Sequence, residues 1–140
     1  MLDLNIYAIV VSAVIIMVLG AFWFSPVLFG NAWMAAMGLT MNDIEEMQKE
    51  GKSMGSAYAA SMISAVTIAV AFAVLIRLLG LEGNVVYGLL LAVGIYFCFN
   101  FTTVIKQIFW EERPAKLVFI SGGYELTSFI FAGAIISVWQ

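Results

Sequence analysis

Apolar residues run almost unbroken through four stretches of this chain, 6–24, 57–79, 85–105 and 117–139. Each has the roughly 20 residues that a helix needs to cross a bilayer core. Polar and charged residues gather between them, in one long loop, 25–56, and two short turns, 80–84 and 106–116. Two charged side chains fall inside the apolar limits. Arg77 stands near the end of its stretch, within reach of the headgroups, whereas Glu125 stands well inside the fourth. A charge at that depth is costly in hydrocarbon, so it faces protein, a partner or water, or it stays protonated.

Composition sharpens this picture. A hydrophobic fraction of 64% with 11% charged residues departs far from the soluble average of roughly half apolar and a quarter charged. The pattern predicts an all-α integral membrane four-helix bundle, a single transmembrane domain over 1–140, with a short amphipathic loop region between the first and second helices. The net charge of −3 supplies no basic patch for nucleic acid. The chain has no His and one Cys, Cys98. An intrachain disulfide, a zinc site and a Cys-His pair are therefore excluded within one chain, and no cofactor is expected. Cys98, in the middle of the third stretch, is expected to be a small buried apolar residue. The segment before the first stretch carries Asp3 and no Lys or Arg. A secretory signal wants a basic start, so the first stretch is predicted to be a retained helix.

Lysine and arginine set an expected orientation. Lys49, Lys52, Lys106, Arg113 and Lys116 fall on the side of the long loop, and Arg77 alone on the side of the termini. The positive-inside rule then places the loop in the cytoplasm of a bacterial inner membrane and both termini outside. Trp23, Trp33 and Trp110 would mark the inner interface, and Tyr7, Tyr87 and Trp139 the outer one.

Within the loop, Ser25 and Pro26 resemble an N-cap followed by proline at the first helical position, which predicts an interfacial helix over 26–37, stopped by Gly38. Thr40 with Asp43 three residues on predicts a second helix with an approximate capping box. Met41, Ile44 and Met47 form its apolar stripe, and Lys49 and Lys52 complement the dipole at its end.

Lipid gives no hydrophobic push between helices, so small and hydrogen-bonding residues are expected at their contacts. At helical spacing, three such stripes stand out: Ala57, Ser61, Ser64, Thr67 and Ala71; Gly88, Ala92, Tyr96, Asn100, Thr103 and Gln107; and Ser121, Glu125, Ser128 and Ala132. The third and fourth stretches form a hairpin about Glu111, Glu112, Arg113 and Pro114. If its midpoint lies between Glu112 and Arg113, residues equally far from it sit at equal depth. Asn100 then lies level with Glu125, and Thr103 with Gly122, which predicts a hydrogen bond from the Asn100 amide to the Glu125 carboxyl. Lys106 lies nearer the cytoplasm and is expected to snorkel. Glu125, Asn100, Thr103, Tyr96, Ser121 and Ser128 are the candidate ion- or substrate-binding set. Trp110, Glu111, Glu112, Arg113 and Lys116 form an interfacial set facing lipid headgroups, with the two cations neutralising the two acids.

Several stretches together resemble a bacterial family of small membrane proteins catalogued as domain of unknown function 1761. They are Gly20-Ala-Phe-Trp-Phe-Ser-Pro-Val-Leu-Phe-Gly30 with Trp33, Trp110-Glu-Glu-Arg-Pro114 and Ile120-Ser-Gly-Gly-Tyr124. The resemblance runs end to end. It implies a four-helix membrane architecture and brings no activity with it.

Two roles for Glu125 stay open: a protonated or amide-paired lock between helices, or a carboxyl that exchanges a proton or binds a cation. The leading functional expectation is a homo-oligomeric transporter or channel for an ion, proton or small solute. The alternative is a non-catalytic accessory subunit holding a larger membrane partner. No His, Ser-base pair or metal-spaced acids suggest an enzyme.

Overall fold

The computed structural model describes residues 3–49 and 55–140. Six helices follow one another: α1 (Ile6–Trp23), α2 (Gly30–Ala36), α3 (Met41–Lys49), α4 (Gly55–Leu79), α5 (Val85–Phe109) and α6 (Ala115–Trp139). Four of them, α1, α4, α5 and α6, are long and apolar enough to cross a membrane. The architecture is the expected all-α membrane bundle. Both α4 and α6 start two residues before their apolar runs, and α5 continues to Phe109, because polar Lys106 and Gln107 prolong a helix as well as they end a hydrophobic stretch.

Helix α6 is the centre of the bundle, in contact with α1, α2, α4 and α5. Small residues let its neighbours come close, the only way to gain packing energy where lipid tails compete on equal terms. At Gly88 of α5 and Gly133 of α6, each glycine stands where the other's backbone carbonyl leaves no room for a Cβ. Ser137 closes the same contact and accepts the Gly83 amide at its carbonyl, 2.7 Å away. At the same end, Asn5 donates to the Trp139 carbonyl at 2.6 Å and Gln140 to the Ala73 carbonyl at 3.0 Å. These bonds tie three helices at the end that carries the termini.

Helix α4 corrects one expectation. Ala57, Ser61, Ser64, Thr67 and Ala71 are all exposed, and the buried face is instead Ala65, Ala69, Phe72, Ala73 and Ile76. Alanine allows the closest approach without a polar atom to satisfy. The hydroxyls solve their own problem: Ser61 donates to the Ala57 carbonyl at 2.9 Å and Thr67 to that of Ile63 at 2.8 Å. A self-satisfied hydroxyl can face lipid.

Two further expectations fail locally. Cys98 is exposed, because it stands two residues past buried Tyr96 and so on the opposite side of α5. Ser25 does not cap a helix. Its hydroxyl donates to the Phe22 carbonyl at 2.7 Å, and the chain turns through 24–29 before α2 starts at Gly30. Gly30 donates to the Ser25 carbonyl, and a side chain at Gly30 would strike the turn's backbone.

Gly38 ends this region with φ of 69°, a left-handed conformation that suits glycine. The box at α3 forms as expected, with Thr40 donating from its amide and hydroxyl to Asp43, each at 2.6 Å, and Asp43 returning its amide to the hydroxyl. Met41 is exposed and Ile44 half-buried; Lys52 and the Met47 side chain lie outside the described residues. Arg77 pairs with Glu82 at 2.9 Å rather than reaching headgroups unaccompanied. The Glu82 carboxyl is held below its usual range by its own backbone amide and then by Arg77.

Two outcomes follow from these contacts. Gly88→Ala forces α5 and α6 apart and costs about 1–3 kcal/mol, measured by unfolding in detergent, whereas Gly94→Ala, with open space around it, leaves stability unchanged or slightly raised. The Thr40 hydroxyl and amide hold the Asp43 carboxyl below 3.8. The stabilisation is therefore present above that pH and is lost as pH falls through the lower folded value. The Thr40 amide resonance, followed by NMR on acidification, moves in that window and is insensitive to pH in Asp43→Asn.

Candidate functional site

Asn100 and Glu125 meet as the hairpin geometry requires. The Asn100 amide donates to Glu125 Oε2 at 2.8 Å, and both residues are half-buried. What the sequence did not announce is the backbone that presents Asn100. Residues Tyr96–Asn100 wind as a π-helical turn inside α5, with the Phe101 amide reaching back to the Tyr96 carbonyl. Such turns insert a residue into a helix and often mark functional positions. Thr102 and Thr103 donate to the Phe99 carbonyl at 2.8 and 3.1 Å, supplying partners where the regular ladder is interrupted. The π-turn ends at Asn100, so helix from there to the hairpin is regular and the level with Glu125 is undisturbed.

Beside this pair lies a groove of about 280 Å³, lined by Phe99, Asn100, Thr103, Val104, Gln107, Val118, Ser121, Gly122 and Glu125. At ~30 Å³ per water molecule it has room for several. Its polar side chains form a ladder: Gln107 near the hairpin, then Thr103 and Ser121, then Asn100 and Glu125. Beyond Glu125 the ladder stops. Phe129 packs edge-on against Phe72 at 5.6 Å and against Tyr96 at 6.4 Å between ring centroids, and Ala92, Ala132 and Ile136 fill the layer behind. The carboxyl therefore stands at the closed end of the groove.

The candidate set divides accordingly. Asn100, Thr103, Ser121 and Glu125 line the groove, whereas Tyr96 and Ser128 do not. Tyr96 is buried, its hydroxyl occupying the space that a side chain at Gly122 would need. Ser128 is buried and donates to the Tyr124 carbonyl of its own helix at 2.8 Å. Gln107, a member of the third-stretch stripe that was not singled out as a binding residue, belongs to the lining. Among the described residues no three His, Cys, Asp or Glu side chains come together as a metal set.

An ionised acid near a bilayer centre costs roughly 2.5–3.5 kcal/mol, and one hydrogen bond to a charged group returns roughly 1.5–3 kcal/mol. The Asn100 amide thus offsets much of that cost without removing it. Water in a polar groove can supply the rest.

Residues from two of the stretches that carry the family resemblance, 20–33 and 120–124, assemble into an aromatic latch. Trp23 donates from its indole to the Ile120 carbonyl at 3.0 Å and lies against Phe29 with ring centroids 4.7 Å apart and planes tilted by 41°. Phe24 lies edge-on to Tyr124 at 5.4 Å and to Trp33 at 5.8 Å. Tyr124 donates to the Ile16 carbonyl at 3.2 Å. Gly20 and Gly123 leave the room that the Tyr124 hydroxyl and the Trp23 ring fill. The latch clamps the α1–α2 turn onto α6, one residue from Glu125. The interfacial set is less collected: Trp110 is 86% exposed, Arg113 pairs with Glu111 at 2.8 Å, and Glu112 takes a left-handed turn at φ of 53°. Lys116 has no carboxylate partner among the described residues and stands apart from the two acids.

Residues 7–137 match the model of the family described as "Protein of unknown function (DUF1761)", and the chain belongs to that family. No curated protein and no solved structure matches the chain.

Removing the indole donor tests the latch. Trp23→Phe keeps most of the ring packing and loses the bond to Ile120, with an expected cost of about 1 kcal/mol in detergent unfolding; a greater loss would mean that the α1–α2 turn has come away from α6.

Proposed function

We propose that this member of the DUF1761 family is a small homo-oligomeric transport unit, in which Glu125 takes up and releases a proton or small cation. The observation that carries the reading is the Asn100–Glu125 pair at the closed end of a polar groove. A carboxyl used only to lock two helices would have no need of a water-sized approach lined by Gln107, Thr103 and Ser121. In this reading the loop-bearing end faces the cytoplasm of a bacterial inner membrane and both termini lie outside, as the lysine and arginine bias favours. The protein acts without catalysing a reaction.

Helix α4 supports a path from that end. The buried face of Ala65, Ala69, Phe72, Ala73 and Ile76 continues, at helical spacing, through Met62, Ser61 and Tyr58. Those three are uncovered, Tyr58 at 62% and Met62 at 45% exposure. Helix α4 is thus covered around the aromatic layer and uncovered towards the loop-bearing end, which suits a site approached from that end. A second copy covering the open side would keep acyl chains out of the groove.

A second reading draws on a different exposed face of α4, about a third of a turn away. The small-residue stripe of α4, with Ser64 and Ala71 exposed, also fits a non-catalytic accessory subunit seated against a larger membrane partner. Native purification separates the two: a stable homo-oligomer supports transport, and a stoichiometric foreign subunit supports the accessory role.

Flux in liposomes is the direct test. Glu125→Gln keeps the shape and the Asn100 contact but cannot ionise, and is expected to lower proton or cation flux at least tenfold while the oligomer and its unfolding midpoint are retained. Wild-type flux in this variant removes Glu125 from the mechanism.

A further inference from the structure

A second groove lies on the opposite side of the first turns of α6, and nothing in the transport reading uses it. It has a volume of about 540 Å³ and is lined by Trp23, Phe29, Ala32, Lys116, Phe119 and Ile120. Five of the six are apolar, and Lys116 is the single charge.

We propose that this groove binds an anionic phospholipid, with one acyl chain along the apolar wall and the phosphate on the Lys116 ammonium. Position argues for lipid. The lining joins the last residue of α1, the short α2 and the first turns of α6, which share one end of a bundle whose helices are built to cross a membrane. A surface there meets acyl chains below and headgroups above. An open apolar slot at that level is filled by the chain of a neighbouring lipid, since water finds no partners in it.

Charge selects the headgroup. Lys116 is exposed and without a carboxylate partner among the described residues: of the two acids in the preceding turn, Glu111 is taken by Arg113 at 2.8 Å, and neither Glu111 nor Glu112 pairs with Lys116. Lys116 also sits in the first turn of a 25-residue helix, where the positive end of the dipole disfavours a cation and favours an anion. Pro114 gives that helix no side-chain cap. An anionic oxygen above Lys116 answers both charges at once. The Trp23 indole, already committed to the Ile120 carbonyl, offers its ring face as wall and does not compete for the phosphate.

The experiment uses Trp23 as reporter in the full chain carrying Trp33→Phe, Trp110→Phe and Trp139→Phe. Reconstituted in phosphatidylcholine vesicles, it is exposed to phosphatidylglycerol or phosphatidylcholine with brominated chains, at equal mole fraction. The expected result is quenching of Trp23 by both, with about fivefold tighter apparent association for phosphatidylglycerol, the preference that one lysine near the surface supplies. Lys116→Gln abolishes the preference, and Ala32→Phe, which fills the slot, lowers quenching by either lipid. Equal quenching by the two lipids, a preference that survives Lys116→Gln, or quenching unchanged by Ala32→Phe would each overturn the proposal. Native mass spectrometry of the chain with all four tryptophans gives an independent readout. Phosphatidylglycerol stays on the wild type through delipidating detergent washes and is lost from Lys116→Gln; its equal retention by both would also count against the site.

Discussion

Close approach to α6 is the constraint on which the rest of the bundle depends. Acyl chains solvate leucine and valine as well as any protein surface does, so a membrane helix gains by association only where backbones come near enough for dense packing. Helix α6 supplies such a surface to each long neighbour through different residues, small ones towards α5 and α1 and an aromatic one towards α4. Gly133 and Ser137 receive α5, Gly123 makes room for Trp23 of α1, and Phe129 meets Phe72 beside the alanine face of α4. One helix thus serves as the common wall for three others, and its polar content is tolerated because it is the most enclosed.

Packing of this kind is uneven along the membrane normal, and the unevenness makes the site. Towards the termini, alanines, glycines and the Asn5 and Gln140 clamps seal the bundle. Towards the loop, α4 has lost its cover by Met62, and α5, past its π-turn, lies less closely on α6. Where the close contact is released, polar groups can be hydrated. The groove ladder from Gln107 to Glu125 occupies that released half, and the aromatic layer of Phe72, Tyr96 and Phe129 marks its end. The π-turn belongs to the same transition: it begins at Tyr96, the last residue of the tight face, and ends at Asn100, the first polar contact.

Most of the residues that carry the family resemblance stand outside the polar groove, Ser121 and Gly122 excepted. Gly20, Trp23, Phe24, Gly30, Trp33, Gly123 and Tyr124 make a clamp that holds the α1–α2 turn to α6, and their spacing is set by ring size and by the room glycine leaves. Their contacts hold the α1–α2 turn against the first half of α6, which both grooves flank. Family membership therefore speaks for the scaffold. The proposed transport chemistry rests instead on Asn100, Thr103, Ser121 and Glu125, of which only Ser121 falls within the Ile120 to Tyr124 stretch.

Local chemistry by itself determined the four membrane helices, because apolar length in lipid leaves the backbone no alternative to helix. It determined the Thr40–Asp43 box and the Gly38 stop, which need no distant partner. It also determined the meeting of Asn100 with Glu125, since a tight hairpin equates depth on its two arms. The outward turn of the serine and threonine stripe on α4, the exposure of Cys98, the late start of α2 and the π-turn were decided only in the folded bundle. Each depends on which neighbour occupies a given face. A hydroxyl that can bond its own helix carries no signal of direction, and a winding fault in α5 costs little until packing on α6 selects it.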